Sequence, residues 1–464
     1  MRVRAFDLRQ DLRSFLEYAR NGRRGDYLLV EREVSPNLEL PAIVAKLETK
    51  LRTPVLEFSK VSGTNYAVVT NLCASARRIA ESMGWSSAEL ENRLVTAQKS
   101  PIAPLMWDGA SGAPVQEEIK TGEQVDLYEL PQTFYTSAQT HPYITAACVV
   151  AVDPNSGAKN VSYHRLMVMS RNEATIFMTP KSHLDQIFQK NVDREIPTSI
   201  AVFIGGHPIW SLGVLAGGGL EDDDIATIGG LIGEPLTVVE STLGEGLIVP
   251  ALAEIVLEGT IRHDHVGVEG PFGEALGFIA EARDRHVFQV KAITQRSDAI
   301  FTDILPGHIE HLVMTGLAAQ ANLQESIVNA FRGVIEAHLS GPLSLYVKVD
   351  TDANKELDIV SLMRKILEKE RFIKSIVVFD NEVDLRNVKS TQWAIATHVQ
   401  AEHDLLIMQD QPATGIDPSE KDEKTTKWGL DATARGRGKQ VARKSEIPQE
   451  ILDQIDVDDL LRNL

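Results

Sequence analysis

Glu269 and Glu274 lie five residues apart, on either side of a Gly-Pro-Phe-Gly bend at residues 270–273. On a straight strand the two acids would face opposite sides, and on a helix they would lie about 140° apart. A bend of this composition can instead bring both to one point. Carboxylates held close raise each other's pKa, so one can stay protonated near neutral pH and act as a general acid. Two solvated acids on a surface loop are the alternative interpretation.

A second polar stretch runs from Asn160 to Arg165, between a turn at 153–157 and an apolar strand. Arg165 carries a permanent charge on a planar fork of donors, which suits a carboxylate or a phosphate. Arginines at the start of strands are otherwise common surface groups. Ser182 fits an N-cap and places His183 at the head of a predicted helix.

The acidic run at residues 221–224 also opens a predicted helix. Acids at this position complement the positive end of the helix dipole, which is the simple interpretation. One carboxylate, one amide oxygen and one imidazole would together also suit Mg²⁺ or Mn²⁺, often shared with phosphate oxygens. Spacing alone favours the dipole interpretation.

Composition excludes several classes of partner. The 464 residues include 47 Lys and Arg against 65 Asp and Glu, a net charge of -18, which argues against a nucleic acid or an anionic membrane surface. Cys73 and Cys148 cannot form a disulfide framework, so we expect a cytoplasmic protein. The sequence shows no signal peptide, no spanning apolar run, and no P-loop, zinc-protease or dinucleotide-binding motif.

Alternating patterns organise the first part of the chain. They predict helices at 7–22, 38–51 and 76–83 and strands at 27–30, 54–58 and 64–70, hence an N-terminal α/β region at 1–110. Mostly strand-like patterns follow, with helices predicted at 182–190 and 222–232. We expect a single barrel-like β domain at 111–310.

The remaining residues predict a C-terminal α/β domain at 311–440. A helix is expected from 312 to 337, then a β–α–β unit with parallel strands at 344–350 and 375–380. Residues 410–427 look like a polar loop. The tail at 441–464 includes an amphipathic helix from 448, which could dock on a second subunit or on its own domain.

Taken together, these stretches resemble the UbiD family of prenylated-FMN-dependent (de)carboxylases, collinearly over nearly the whole chain. The most specific match is the segment at 249–259, Val-Pro-Ala-Leu-Ala-Glu-Ile-Val-Leu-Glu-Gly, followed by the Glu-Gly-Pro-Phe-Gly-Glu element at 269–274. The Asn-x4-Arg element ending at Arg165, the histidine at 183 and the Lys-Trp-Gly-Leu-Asp-Ala-Thr segment at 427–433 also fit.

The resemblance implies a fold of class α+β: an N-terminal α/β region, a central flavin-reductase-like split barrel and a C-terminal α/β domain with a terminal helix. It implies prenylated FMN made by a separate flavin prenyltransferase, a divalent metal (Mn²⁺ or Mg²⁺) with K⁺ left open, and a homodimer or hexamer. The expected reaction is reversible, non-oxidative decarboxylation of an aromatic, heteroaromatic or α,β-unsaturated acid.

The resemblance also carries site residues over by motif position. The catalytic network corresponds to Arg165, Glu269 and Glu274, and the metal ligands to Asn160, His183 and Asp224, with Asp223 as the fallback because the family usually has Glu there. The cofactor contacts correspond to Asn160, Ser162, Tyr163, His164, Arg165 and Lys427. The substrate pocket corresponds to the helix start that holds His308, His311 and Met314.

A histidine in that pocket could bind a ring heteroatom or hydroxyl, suggesting a small hydroxy-aromatic or heteroaromatic acid, or it could merely order a loop. Three other functions compete with the decarboxylase. The first is a carboxylase that runs the same reaction in reverse, because one site serves both directions. The second is a flavin-dependent reductase on a split barrel, which needs no Arg-Glu-Glu set. The third is a non-catalytic subunit of a carboxylase complex, which would be expected to lack a catalytic residue.

Overall fold

The computed structural model describes residues 11–109, 112–354, 356–434, 447–452 and 454–455. These residues divide into two compact units, the first running to Ser326 with Ile416–Pro418, the second holding the rest from Ile327 onward. The division lies beyond the boundary predicted at 310/311, and the four-part domain division stays a prediction. Residues 7–10 of the predicted first helix, and residues 453 and 456–464 of the predicted tail helix, lie outside the described ranges.

The first unit combines helices with many short strands. Its helices are α1 (Leu12–Asn21), α2 (Glu39–Glu48), α3 (Ala76–Ser82), α4 (Ser87–Thr96), α5 (His183–Val192), α6 (Pro208–Leu215), α7 (Asp224–Ile232) and α8 (Ile309–Leu323). Its first strands are β1 (Tyr27–Val30), β2 (Val55–Phe58), β3 (Ala67–Thr70), β4 (Leu105–Met106), β5 (Glu118–Thr121), β6 (Tyr143–Ile144), β7 (Cys148–Val152), β8 (Lys159–Tyr163), β9 (Leu166–Val168), β10 (Glu173–Ile176) and β11 (Thr198–Ile204). The later strands are β12 (Thr237–Glu240), β13 (Ile248–Pro250), β14 (Ile255–Glu269), β15 (Phe272–Gly273), β16 (Ile279–Ala280), β17 (Arg283–Gln295) and β18 (Ile300–Thr302).

The N-terminal sheet has the order β1-β2-β3-β18 within the described residues. The predicted alternation of helices and strands in this region is confirmed. Its last strand was not expected, because residues 300–302 were assigned to the β-rich domain. β18 pairs in parallel with β3 and buries Phe301 completely, so burial of an aromatic side chain ties the two regions together.

The central sheet of the described residues has nine antiparallel strands in the order β6-β9-β10-β17-β14-β11-β7-β8, with β5 also paired to β17. It curls into a half barrel, as the β-rich pattern predicted in outline. The long strands β14 and β17 form its centre and approach closely at Gly259, where a Cβ would lie 1.9 Å from the carbonyl oxygen of Gln289. The predicted helices appear as α5 and α7, whereas α6 was not predicted.

The second unit is an α/β layer. Its elements are β19 (Val334–Gly341), β20 (Ser344–Val349), α9 (Ile359–Lys369), β21 (Ser375–Asp380), α10 (Val388–His398), α11 (Ala401–Asp404), β22 (Leu405–Pro412), β23 (Lys424–Asp431) and α12 (Gln449–Leu452). The sheet order is β19-β20-β21-β23-β22. β20 and β21 pair in parallel, which confirms the predicted β–α–β unit.

Two local predictions in this part of the chain were wrong. The helix expected to reach residue 337 ends at Leu323, and β19 begins at Val334. A π-helical segment at Gln324–Val328 follows α8, and Gly333, whose φ of 87° is left-handed, then leads into the β-branched pair that begins β19. The polar loop expected at 410–427 is instead bounded by β22 and β23, which pair with each other.

Among the helices that the described ranges contain, none has both the length and the apolar character needed to cross a membrane.

Candidate active site

The bend after β14 brings the two predicted acids to one arginine. Glu269 is the last residue of β14, and Glu274 follows the two-residue strand β15. The turn between them begins with a cis Gly270–Pro271 bond. Gly270 has φ 110°, and a Cβ there would lie 2.9 Å from Cα of Ala282, so the position requires glycine.

Arg165 is the centre of the arginine–glutamate cluster, which we define as Arg165, Glu269 and Glu274. Its Nε and Nη2 donate to Oε1 and Oε2 of Glu269 at 2.9 and 3.1 Å, and its Nη1 donates to Oε1 of Glu274 at 2.7 Å. Burial alone would lower the pKa of Arg165, but hydrogen bonds to Glu269 and the charges of both acids raise it. The side chain of Glu269 is 2% exposed and that of Glu274 is 25% exposed. The two acids therefore sit in different environments.

Aromatic rings hold the guanidinium in place. Its Cζ lies 4.5 Å from the ring centroid of Phe177 and 4.3 Å from that of Phe272. Tyr143, from β6, donates its hydroxyl to Oε1 of Glu269 at 2.8 Å, and burial together with the charge of Glu269 raises the pKa of Tyr143. Charge-assisted bonds of this kind are stronger than neutral ones. The cluster is ordered by these contacts alone, before any ligand is considered.

Sequence reasoning missed Tyr143, Phe177 and a second arginine, Arg285, whose Nε lies 3.8 Å from Oε2 of Glu269. Tyr143 comes from a two-residue strand with no chemical pattern around it. Arg285 stands in the charged stretch at 281–285, which looks like a solvated surface. No signal in the sequence separates it from its neighbours.

The structure brings together Asn160, His183 and Asp224, the second cluster of interest. Nδ2 of Asn160 donates to Oδ2 of Asp224 at 3.0 Å and lies 3.5 Å from Nδ1 of His183. The backbone N–H of Val161 also donates to Oδ2 of Asp224, at 2.8 Å. Asp223, the alternative candidate, instead accepts from Ala226 N as the N-cap of α7. The geometry therefore favours Asp224 over Asp223 as the acid of this cluster.

Asp224 has a buried carboxylate oxygen that a cation could bind. Its Oδ1 is buried without a hydrogen-bond partner among the described residues, and burial raises its pKa to about 7. Gly217 leaves it room, since a Cβ there would lie 2.8 Å from that oxygen. Among the residues described, no group of three or more His, Cys, Asp or Glu could hold a metal, so an ion here would rely on the amide of Asn160 as well. A carboxylate, an amide and an imidazole fit Mg²⁺ or Mn²⁺.

The other residues of the 160–165 stretch separate onto two faces of β8. Ser162 donates to Oδ1 of Asn160 at 3.2 Å, so it shares the face of the Asn160–His183–Asp224 cluster. His164 is buried between Ser162 Oγ and the carbonyl of Phe177, and burial lowers its pKa to about 4. Tyr163 faces the other way and donates to Ser211 Oγ at 2.7 Å, beside a cavity of about 20 Å³. Its side chain is not brought to the cluster.

Lys427 lies on β23 in the second unit. Its buried Nζ donates to the carbonyl oxygens of Leu367 and Glu370 at 2.7 and 2.9 Å, near the C-terminal end of α9. Burial lowers the pKa of Lys427. The ammonium is thus occupied within its own unit, and its expected contact with a cofactor phosphate stays a prediction.

The predicted pocket residues occupy the start of α8. His308 Nδ1 is 2.7 Å from Oε2 of Glu48, and His311 Nδ1 accepts from Gly307 N at 3.2 Å. Burial lowers the pKa of His311, and the negative charge of Glu274 partly offsets this effect, so the two side chains interact electrostatically. Met314 is 3% exposed and belongs to the hydrophobic core. Of the three, His311 is the one linked to the arginine–glutamate cluster.

Helix α8 also carries a carboxylate that sequence reasoning passed over. Glu310 is fully enclosed and accepts from Thr70 Oγ1, Asn71 N and Cys73 N at 3.0, 2.6 and 2.9 Å. Burial raises its pKa to about 7. Because its partners come from the end of β3 and the loop that follows, Glu310 fixes α8 against the N-terminal sheet and so fixes the position of His311.

Comparison with known proteins identifies this arrangement. Three family models match: the N-terminal domain of 3-octaprenyl-4-hydroxybenzoate carboxy-lyase at residues 20–97, its Rift-related domain at 109–309, and its C-terminal domain at 312–432. The chain belongs to the UbiD family. As a UbiD protein it is a carboxy-lyase, which confirms the predicted enzyme class.

Solved structures of UbiD-class enzymes are similar to most of the chain. HmfF from Pelotomaculum thermopropionicum in complex with FMN is similar with a TM-score of 0.87 at 32% identity, over 97% of this chain and 100% of that one. An evolved dimeric form of HmfF in complex with prFMN gives 0.84 at 30% identity, over 97% and 100%. An anhydromevalonate phosphate decarboxylase of Methanothermobacter thermautotrophicus is 29% identical over 410 residues, 88% of this chain and 94% of that protein.

Proposed function

We propose that this carboxy-lyase uses prenylated FMN to decarboxylate an aromatic, heteroaromatic or α,β-unsaturated carboxylic acid without net oxidation. The observation that carries the proposal is Arg165 held simultaneously by Glu269 and Glu274. The FMN and prFMN complexes of HmfF support the choice of cofactor. A reductase on the same half barrel would have no need of this set, and a non-catalytic subunit would have no reason to keep it.

The cofactor is required because side chains cannot accept the electron pair that CO₂ leaves on an sp² carbon. When bound, prenylated FMN supplies the electron sink. The protein then has to orient the acid, exclude water and return a proton to the carbon that lost CO₂.

Arg165 binds and orients the substrate carboxylate. A guanidinium has five N–H donors, and three bonds of Arg165 go to the two glutamates. The remaining donors are available to an incoming anion. Because Phe177 and Phe272 contact its faces, Arg165 is presented edge-on, with little freedom left to lose on binding.

Glu274 delivers the proton. It has a single bond to Arg165 and is the more exposed of the two acids, so it can rotate and exchange protons. Glu269 accepts two bonds from Arg165 and one from Tyr143, so its carboxylate is fixed in place. The two carboxyls therefore divide the work: Glu269 orients the guanidinium and Glu274 carries the proton.

Asn160, His183 and Asp224 would hold a divalent cation, Mn²⁺ or Mg²⁺. The unpartnered Oδ1 of Asp224 supports this role, because a cation would satisfy a buried oxygen that otherwise costs free energy. A cation there could neutralise the cofactor phosphate in a protein of net charge -18. The residues present thus fit the metal that the family resemblance implied.

The substrate pocket is proposed to lie beside His311, whose side chain interacts with the charge of Glu274. An imidazole with a lowered pKa is neutral at pH 7 and can donate to or accept from a ring heteroatom or hydroxyl. A small hydroxy-aromatic or heteroaromatic acid fits this chemistry. A flavin prenyltransferase as cofactor supplier and a homo-oligomeric assembly complete the proposal.

The test is to co-express the chain with a flavin prenyltransferase, record the spectrum and mass of the bound flavin, and measure CO₂ release from a panel of aromatic and unsaturated acids. The Glu274→Gln variant is expected to bind the same flavin but to lose about 10²–10⁴-fold in turnover, the usual contribution of proton transfer. Full activity of that variant would overturn the role of Glu274. A loaded wild-type enzyme inactive on the whole panel would overturn the proposed substrate class.

A further inference from the structure

A second guanidinium lies beside the arginine–glutamate cluster. Nε of Arg285, on β17, is 3.8 Å from Oε2 of Glu269. Its Cζ is 4.7 Å from the ring centroid of Phe177, the ring that also contacts Arg165 at 4.5 Å. Two arginines therefore share one aromatic ring and one carboxylate.

Arg285 has a buried donor that is not hydrogen-bonded and that lies near Glu269. Its buried Nε–H has no hydrogen-bond acceptor in the part of the chain that the structure describes. Its Nη1 donates only to the carbonyl of the preceding residue, at 3.2 Å. A buried, unpaired donor is unfavourable, and what offsets it here is the nearby carboxylate. A movement of under 1 Å would turn this ion pair into a hydrogen bond.

The placement makes the two acids of the cluster electrostatically unequal. Glu269 is enclosed and faces Arg165, Arg285 and the hydroxyl of Tyr143. Glu274 is one-quarter exposed, and among the described residues its carboxylate bonds to Nη1 of Arg165. Two guanidiniums therefore face Glu269, whereas Glu274 has one such partner and access to solvent.

We propose that Arg285 is a positioning residue that holds Glu269 in its two-bond contact with Arg165, so that proton exchange in the site falls to Glu274. This inference rests on the proposed decarboxylase function and deepens it. In this proposal Arg285 acts through Glu269 and does not itself contact the substrate.

Several groups face the pair and must be considered when pH is varied. They are Tyr143 from β6, Arg165 between β8 and β9, Glu274 from the turn after β15, Arg283 and Arg285 from β17, and His311 from α8. Loss of the charge at 285 makes protonation of the acid pair easier. The pH above which the general acid becomes deprotonated, and turnover falls, should therefore move upward by about one unit.

The experiment compares Arg285→Met, Arg285→Lys and Arg262→Met in enzyme loaded with prenylated FMN by co-expression. Arg262 is the control, because it lies on β14, the strand that pairs with β17, and forms an exposed pair with Asp264. We expect Arg285→Met to lower kcat about 10–100-fold with little change in KM and to shift the alkaline limb of the pH profile. Arg285→Lys should recover part of the loss, and Arg262→Met should match wild type.

Equal kcat and pH profiles for Arg285→Met and Arg262→Met would overturn the proposal. So would a lysine variant as defective as the methionine variant, since that would assign the effect to stacking on Phe177 rather than to charge.

A second measurement separates this inference from the proposed function. Crystal structures of the cofactor-free variants should show the two-bond contact between Arg165 and Glu269 kept in Arg262→Met and broken in Arg285→Met. Because no turnover is needed, this result stands even if no acid of the panel is a substrate. An unchanged Arg165–Glu269 contact in Arg285→Met would overturn the positioning role.

Discussion

The arginine–glutamate cluster and the Asn160–His183–Asp224 cluster handle buried charge in opposite ways. In the first, every acid has a guanidinium partner, and Glu269 gains a tyrosine hydroxyl as well. In the second, the acid has amide donors on one oxygen and nothing on the other among the described residues. Asn160 of the second cluster and Arg165 of the first lie five residues apart in the chain. The local sequence therefore does not explain why one cluster pairs its acids and the other does not.

The contrast shows which part of the site is complete without a ligand. The first cluster is already neutralised within the protein and holds its geometry alone. The second is a buried carboxylate with a raised pKa, a state that a cation would relieve. Removing charge should therefore harm the first cluster and help the second in metal-free protein.

The largest effect is expected from Arg165→Met. Loss of the guanidinium leaves the buried Glu269 with the Tyr143 hydroxyl and the more distant Arg285, which should lower the free energy of unfolding by about 3–5 kcal/mol at pH 8. Urea unfolding of the metal-free protein measures it. Arg171→Met is the control, because Arg171 forms an exposed pair with Asp126 and should cost under ~1 kcal/mol. Similar losses in both variants would remove the claim that the cluster is preorganised.

Asp224→Asn should have the opposite sign in EDTA-treated protein. The pKa of Asp224 is raised from 3.8 to about 7, so the folded state takes up a proton more readily than the unfolded state. The stabilisation of the folded state that comes from this preference for the protonated form is complete below the unfolded pKa of Asp224. It is lost as pH rises through the folded pKa of about 7. We therefore expect the variant to be more stable than wild type by about 2–4 kcal/mol at pH 8 and nearly equal at pH 4.

Asp223→Asn provides the matched control for that comparison. Asp223 caps α7 and lies 3.4 Å from Nζ of Lys159, so its charge is already compensated. It should show no gain at pH 8. A gain for Asp223→Asn, or none for Asp224→Asn, would mean that Asp224 is not the destabilising group.

Metal removal should affect the two clusters unequally in loaded enzyme. Dialysis against EDTA should weaken flavin retention about 10–100-fold, with Mn²⁺ restoring it, and Asp224→Ala should behave like the EDTA-treated wild type. Flavin fluorescence after gel filtration reports the bound fraction. Undiminished retention in Asp224→Ala would reject the metal role of this cluster.

The smallest effect is expected from Tyr143→Phe. It removes one hydrogen bond to an ionised carboxylate and should cost about 1.5–2 kcal/mol in unfolding free energy, with a modest fall in kcat. Tyr128→Phe serves as its partner variant, because that hydroxyl bonds a carbonyl at an exposed position. If the two substitutions cost the same, Tyr143 would add nothing to the stability of the cluster.

The parts of the site that depend on local sequence could be predicted. The Gly-Pro-Phe-Gly bend indicated that Glu269 and Glu274 could converge, and the N-cap at Ser182 predicted that His183 begins a helix. Tyr143 and Arg285 reach the cluster from strands 126 and 16 residues away from Glu269, where only the register of the sheet decides which side chain points inward. The same limit hid β18, a short strand taken into the sheet of an earlier region.

Pattern reasoning also could not anticipate how neighbouring side chains would be used. Tyr163 and His164 stand beside Asn160 in the chain, yet alternation along β8 sends Tyr163 to the opposite face, and His164 is occupied by the carbonyl of Phe177. Lys427 has a motif match, but its ammonium bonds the end of α9. For Tyr163, His164 and Lys427, the motifs therefore did not predict what the side chains contact.

A crystal structure of the enzyme co-expressed with a flavin prenyltransferase and supplied with Mn²⁺ tests the central claim most directly. We expect the ring system of the flavin to lie against Arg165 and Glu274, and a metal ion within about 2.2 Å of Asn160, His183 and Oδ1 of Asp224, in contact with the cofactor phosphate. A flavin bound elsewhere in the half barrel, or a phosphate neutralised without that cluster, would contradict the account.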